Sequence, residues 1–332
     1  MMKTTIKDVA KLANVSKATV SRVINNKGNV SPKVIERVRE AIKQLEYVPS
    51  GVARSLINKT TGLIGLLIPD IVNPFFPALA RGVEDAAHQY GYTVVLCNSD
   101  NDIQTEERYI EKMQQQSVDG MILVTANWLP ISNRLSRMQF PIVICDRYKK
   151  DMLMDSVTVD NFLAGFEATE YLIHKGHKDI VYISTSDSID SIWQREKGYK
   201  AAMKKHSLNI NVQYGSLSIE SGFLVTEQLL RSHIPSAIFT ANDLVALGAM
   251  KAIQQKGLRI PEDIAILGCD DIMFASISSP TLSTIQQPAY QMGVKAMELL
   301  VQKINGDTTV KNITLEHKLI LRESTEGMEL NV

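Results

Sequence analysis

The chain has little of what marks secreted, membrane-embedded or disulfide-stapled proteins. Cys97, Cys145 and Cys269 are the only cysteines in 332 residues. They are odd in number, far apart and without a Cys-x-x-Cys, so reduced core thiols in a cytoplasmic protein are expected. No apolar run approaches the ~20 residues that span a bilayer. The opening Met-Met-Lys-Thr-Thr-Ile-Lys-Asp has no apolar h-region, so no secretory leader is expected. Internal repeats and low-complexity segments are missing. So are Gly-x-Ser-x-Gly, a Gly-rich phosphate loop and His-Glu-x-x-His, the usual marks of hydrolases, nucleotide enzymes and metalloproteases. His174-Lys-Gly-His177 has a spacing that a metal can use, but it ends a helix, and Asp270-Asp271 lacks an evident acid–base partner. The expectation is no enzyme, no cofactor and no metal.

Charge is lacking only in sum. Residues 1–60 carry 12 Lys and Arg against 4 Asp and Glu, a balance of +8, while the rest holds 24 against 32, a balance of −8. A small basic head on an acidic body reads as a polyanion-binding domain joined to a domain with another task. Charge alone also permits a merely basic surface. The length suffices for two or three domains with sizeable cores.

Residues 6–26 organise the head. Val9 and Ala13, then Val15, then Val20 and Val23 are spaced for two short helices crossing at an angle, with Ala10 small enough for close approach. Asn14 stands where the turn needs a positive φ, which asparagine tolerates. Ser16 is a candidate N-cap. Such spacing also suits an ordinary pair of crossed helices. The outward residues Lys17, Thr19, Ser21, Arg22 and Asn25 favour a helix-turn-helix, because they are hydrogen-bonding or cationic as a DNA groove requires. Ser31-Pro32 then signals a third helix carrying Val34, Ile35, Val38, Ala41, Ile42 and Leu45. Tyr47-Val48-Pro49-Ser50 ends it. Ser50 is a candidate cap for a further short helix over 51–57, although Gly51 lowers its propensity, and an isolated helix of that length is not expected to hold together in water.

From residue 62 the texture changes. Apolar runs at 63–68, 93–97, 121–124 and 142–145 alternate with amphipathic stretches at 75–90, 106–116 and 131–138, as in a parallel sheet covered by helices on both faces. A second set places helices at 162–174, 194–206, 223–230 and 244–255, with strands at 180–183, 237–239 and 264–267. A last helix at 290–304 precedes extended segments around 313–315 and 318–321. The expected fold class is a small all-α helix-turn-helix DNA-binding domain followed by an α/β two-lobe domain of doubly wound parallel sheets.

The run Thr-Ile-Lys-Asp-Val-Ala-Lys-Leu-Ala-Asn-Val-Ser-Lys-Ala-Thr-Val-Ser-Arg-Val-Ile-Asn, followed by Tyr-Val-Pro-Ser-Gly-Val-Ala-Arg-Ser-Leu, resembles the lac/galactose/purine repressor family of bacterial transcription regulators. The similarity spans nearly the whole chain. It implies a headpiece over 1–48, a hinge helix and linker over 49–60, and a periplasmic-sugar-binding-protein-like effector and dimerisation domain over 61–332. The first lobe then covers about 61–160 and 289–317, and the second about 161–288 and 318–332, with crossings near Asn161, Gln287 and Lys318. The resemblance assigns DNA contacts to Thr5, Ser16, Lys17, Ala18, Thr19, Ser21, Arg22, Asn25, Ala53 and Leu56. Leu56 would wedge a base step from the minor groove. Without the resemblance, a linker with Leu56 packed on its neighbours is the simpler reading.

Ligands of open parallel sheets bind at the carboxyl ends of strands. Polar residues directly after apolar runs are Asp70, Asn73, Asp146-Arg147, Asp160-Asn161, Asn242-Asp243 and Asp270-Asp271, with Arg195 nearby in sequence order. Carboxylates, amides and an arginine fork suit sugar hydroxyls, and Phe75, Phe76 or Trp193 offers an apolar face. Helix capping by Asp70, Asn73 and Asp243, and a structural turn at Asp271, are the plain alternatives. The resemblance favours Arg195, Asp270 and Asp146 as effector contacts, and Asn242 and Phe75 more loosely; Trp193 completes the set.

The expected protein is a repressor of carbohydrate-utilisation genes, binding near-palindromic double-stranded operator DNA as a homodimer. Its operator affinity would respond to a small-molecule effector, a sugar or sugar derivative, through reciprocal coupling. No leucine heptad follows Arg322, so a dimer rather than a tetramer is expected. The rivals are a solute-binding protein of a transport system, and a regulator with a vestigial cleft controlled by a partner protein.

Overall fold

A computed structural model describes residues 4–24, 28–47, 60–125, 138–147, 154–186 and 189–326. Asn25, the expected hinge helix with Ala53 and Leu56, and all but the last residue of the helix expected at 131–138 lie outside them. The chain divides into two units, Met1–Thr61 and Gly62–Val332.

In the first unit α1 (Ile6–Leu12), α2 (Lys17–Ile24) and α3 (Pro32–Gln44) close around Val9, Ala10, Ala13, Val20, Val23, Val38 and Ala41. None of these is larger than valine, so the helices pack closely over a thin core. Asn14 makes the turn at φ 48°, and the Val15 N–H bonds back to the Ala10 carbonyl at 3.0 Å. Ser31 takes the N-cap position of α3 without a side-chain bond. That start is set by Pro32, whose φ is already helical and whose missing N–H needs no partner.

The second unit runs β1 (Leu63–Ile68), α4 (Phe75–Gln89), β2 (Thr93–Asn98), α5 (Ile103–Gln115), β3 (Gly120–Leu123), β4 (Ile142–Cys145) and β5 (Asp155–Val159). It continues through α6 (Asn161–His174), β6 (Ile180–Thr185), α7 (Asp190–Lys205), β7 (Asn211–Gly215), α8 (Ile219–Leu229), β8 (Ala237–Thr240) and α9 (Asp243–Gln255). Then come β9 (Ala265–Asp270), a 3-10 turn (Met273–Ser276), β10 (Ser283–Gln286), α10 (Ala289–Ile304), β11 (Asn312–Leu315), β12 (Lys318–Ile320) and the short α11 (Glu323–Glu326).

Among the described residues two six-stranded sheets result, ordered β11-β5-β4-β3-β1-β2 and β12-β10-β9-β8-β6-β7. All neighbours are parallel except β10 and β12. The continuous apolar runs of β1, β3, β4, β6, β8 and β9 are strands buried on both faces, as the interior of a parallel sheet requires, whereas β2 at the edge leaves Leu96 exposed. In the first sheet Ile64 and Leu66 meet Leu79 of α4 and Leu300 of α10, while Leu67 and Met121 meet Ile110 of α5.

Three strands, β5, β7 and β10, are absent from the hydropathy pattern. Polar side chains of β5 and β10 are buried with specific partners. Asp155 accepts the Lys311 N–H at 2.8 Å and pairs with Lys303 Nζ at 3.0 Å. Ser156 Oγ bonds Asn312 Oδ1 at 2.7 Å, and Ser324 Oγ accepts the Ser283 N–H at 2.8 Å. Helix α7 starts at Asp190, four residues before the expected 194. Among the described residues no helix is long and apolar enough to cross a membrane.

Candidate functional site

Helix α2 presents Lys17, Ala18 and Arg22 exposed and Thr19 and Ser21 half-buried, while Val20 and Val23 point into the core. Ser16 Oγ accepts the Thr19 N–H at 3.1 Å and lies 2.9 Å from Thr19 Oγ1, so it caps the helix. Thr5 caps α1 reciprocally with Asp8, whose carboxylate accepts the Thr5 N–H at 2.9 Å and hydroxyl at 2.7 Å. Those bonds hold the Asp8 carboxyl below its ordinary range. Both cap residues remain exposed at the surface.

The second unit holds a narrow cleft between its two sheets, bordered by Asp70, Asn73, Phe75, Phe76, Asp146, Arg147, Arg195, Asn242, Asp270 and Gln287. Arg195 enters it because α6 and α7 touch backbone to backbone. A Cβ on Gly165 would lie 2.2 Å from the Arg195 carbonyl, and one on Gly198 would lie 2.1 Å from that of Phe162. The crossing lets Arg195 Nε donate to Asn161 Oδ1 at 2.7 Å and Nη1 to the Ala241 carbonyl at 2.6 Å. Asp270 Oδ1 sits 3.9 Å from Nη1 and accepts Gln287 Nε2 at 2.7 Å. Asp146, at φ 64°, faces this group from the end of β4.

Two buried acceptors, Asp146 Oδ1 and Gln287 Oε1, have no hydrogen-bond partner among the described residues. Burial raises the pKa of Asp146, opposed by the charges of Arg195 and Arg147. Burial also raises that of Asp270, again with Arg195 opposing. Phe75 and Phe76 meet edge to face at 5.2 Å, and the Arg147 guanidinium stands 5.7 Å from the Phe76 ring centre. Arg147 Nη1 also donates to Asn101 Oδ1 at 2.6 Å.

The cleft thus gathers Phe75, Asp146, Arg195, Asn242 and Asp270, and leaves out Trp193. Trp193 stands two positions before Arg195 on α7, about 200° around the helix. It is 46% exposed and borders a different depression with Lys197 and Tyr214. The local sequence could not show this, because the helix was expected to begin after it. Asn242 also caps α9, accepting the Val245 N–H at 2.9 Å. Asp243 does not cap. Asp160 caps α6 and Asp271 pairs with Arg322 at 2.7 Å, both structural roles. Gln287 carries no signal of a ligand role in the sequence, since the polar strand before it gives no apolar run to flag its end. His174 packs edge-on to His206, and no group of three metal-ligating side chains occurs among the described residues.

Residues 5–50 match the model of bacterial regulatory proteins of the lacI family, and residues 61–323 match that of periplasmic binding proteins and the sugar-binding domain of the LacI family. The chain belongs to the LacI family. This LacI-family chain is 43% identical over 328 residues to the ribose operon repressor of Halalkalibacterium halodurans, covering 98% of each. A lac repressor dimer bound to operator and the anti-inducer ONPF shares 28% identity with a TM-score of 0.90, over 98% of this chain and 99% of that one. A LacI-family regulator from Enterococcus faecium with bound ribose shares 28% identity with a TM-score of 0.74, over 80% of this chain and all of that one. Members of the family are DNA-binding regulators, and this chain carries the family's DNA-binding and sugar-binding domains.

Proposed function

We propose that this chain is a cytoplasmic, non-enzymatic repressor that binds a near-palindromic operator as a homodimer and responds to a neutral sugar of pentose size, D-ribose first among candidates. The observation that carries the effector reading is the pair of buried acceptors, Asp146 Oδ1 and Gln287 Oε1, that have no partner among the described residues and lie beside Arg195. Sugar hydroxyls donate to the first two and accept from the guanidinium, while a ring lies on the phenylalanine pair. The 43% identity to a ribose operon repressor agrees with the choice of D-ribose.

In this reading residues 1–48 read DNA, 49–60 form the hinge, and 61–332 bind effector and dimerise. The first lobe is about 61–160 and 289–317, the second about 161–288 and 318–332. Lys17, Ala18, Thr19, Ser21, Arg22 and Asn25 face the major groove, Thr5 and Ser16 meet the backbone, and Ala53 and Leu56 enter the minor groove. One small head offers too little contact for tight specific binding, and two heads related by a two-fold axis supply it.

The test is a thermal-shift series with D-ribose, other pentoses, hexoses and ribose 5-phosphate, followed by operator binding across a titration of each sugar that shifts the melting temperature. A ligand confined to the native state raises that temperature. D-ribose should do so, ribose 5-phosphate should not, and the titration reads whether the sugar releases or tightens DNA. A sugar phosphate that binds better than any neutral sugar would overturn the reading.

A further inference from the structure

One wall of the cleft, the Asp270 carboxylate, rides on a backbone that L residues rarely adopt. The φ angles are +123° at Asp270 and +56° at Asp271. Conformations of this kind persist only where the surroundings over-determine them. Beneath this turn, outside the cleft, lies a buried polar network. Asp243, fully buried in the first turn of α9, accepts the Ile272 N–H through Oδ2 at 2.9 Å and the Thr284 hydroxyl through Oδ1 at 2.6 Å. The Thr284 oxygen in turn accepts the Asp271 N–H at 3.3 Å. Strand β9 makes room for the carboxylate, because a Cβ on Gly268 would lie 2.2 Å from Asp243 Oδ1. Arg322 braces the far side, donating to Asp271 Oδ1 at 2.7 Å and to the Leu282 carbonyl at 2.8 Å.

We infer that Asp243 and Thr284 are positioning residues for the effector site: by holding the N–H groups of Asp271 and Ile272 they fix the turn that aims Asp270 at Arg195 and Gln287. Neither residue borders the cleft. The inference rests on the sugar-binding reading for its affinity measurement alone. A buried carboxylate suits the task because its two oxygens accept separate, charge-assisted bonds from opposite sides. The two N–H groups belong to consecutive residues, so both peptide planes of the turn are pinned at once.

The experiment compares the full-length protein with Thr284→Val, which deletes the hydroxyl at nearly constant shape, and Thr284→Ser, which restores it. Thr284→Ala replaces Thr284→Val if that variant does not fold. Crystal structures report the 270–272 turn, calorimetry with D-ribose reports affinity, and anisotropy with sugar-free operator reports the heads. In Thr284→Val the turn should relax and the Gln287–Asp270 bond break, with D-ribose binding weakened about tenfold and sugar-free operator binding within about twofold of wild type. Thr284→Ser should return all three to wild type, which a general packing defect would not do. The inference is overturned if Thr284→Val keeps Asp270 on Gln287 with unchanged D-ribose affinity, or if Thr284→Ser fails as Thr284→Val does. If the wild type itself does not bind D-ribose, the sugar reading falls, and the crystal structures alone decide the positioning role.

Discussion

Replacing Asp146 by Asn should move stability and sugar affinity in opposite directions. The substitution keeps the shape, and asparagine tolerates the φ of 64° as well as aspartate does. In the sugar-free protein the carboxylate is buried, with no hydrogen-bond partner for Oδ1 among the described residues and Oδ2 3.9 Å from Arg147 Nε. Burial raises its pKa despite Arg195 and Arg147. A folded-state pKa above the unfolded one means that the native protein holds the proton more tightly. The wild type therefore loses stability as pH rises from the ordinary carboxylate value through the folded one. Asparagine does not titrate, so Asp146→Asn should resist urea better than wild type at pH 7.5, with the gap narrowing toward pH 4. Binding goes the other way. A charge-assisted bond exceeds a neutral one by about 1 kcal/mol, so two hydroxyls on this carboxylate amount to about 2 kcal/mol, roughly 30-fold in Kd. Urea unfolding at the two pH values and calorimetry with D-ribose at pH 7.5 measure both. A variant equal to wild type in both would refute the buried-acceptor reasoning.

Other outcomes follow from the same geometry. Arg22→Ala, on the exposed face of α2, should cost about 1–3 kcal/mol of discrimination at one base pair; equal weakening on every sequence would make Arg22 a phosphate contact. A protein lacking residues 1–61 should keep sugar binding and bind no operator, and the intact protein's operator affinity should fall steeply with salt; a truncated body that still binds operator would contradict the assignment. Val20→Ala removes two methyl groups from the fully buried centre of the headpiece and should cost about 1–3 kcal/mol there. The far-ultraviolet dichroism of the isolated 1–61 fragment should register that loss on heating, and an unchanged melting curve would contradict the packing. Asp243, pushed up to about 7 by burial against the bonds from Thr284 and Ile272, should make wild type lose stability relative to Asp243→Asn as pH rises from about 4 to 7, by at most about 1.4 kcal/mol per unit; parallel urea midpoints across that window would exclude this.

What the sequence by itself determined was whatever local periodicity and chain order carry. The spacing of Val9, Ala13, Val20 and Val23 placed two crossing helices with Lys17 and Arg22 outward, and the doubly apolar runs at β1, β4, β6, β8 and β9 demanded parallel strands under helices. Position after such runs was enough to bring forward Asp146, Asn242 and Asp270, because parallel strands in one sheet end on one side. Tertiary structure alone decided the rest. β5 and β10 carry no continuous apolar run, since Asp155, Ser156 and Ser283 find their partners in Lys311, Asn312 and Ser324, residues 41 to 156 positions away. Gln287 became a cleft residue through that same polar strand, and Trp193 left the cleft because two residues on a helix turn a side chain about 200°. The orientation of Asp270 depends on Asp243 and Thr284 pinning two peptide planes from below. Such contacts join residues far apart in the chain, and local periodicity reports only which face a side chain takes, never what lies across from it.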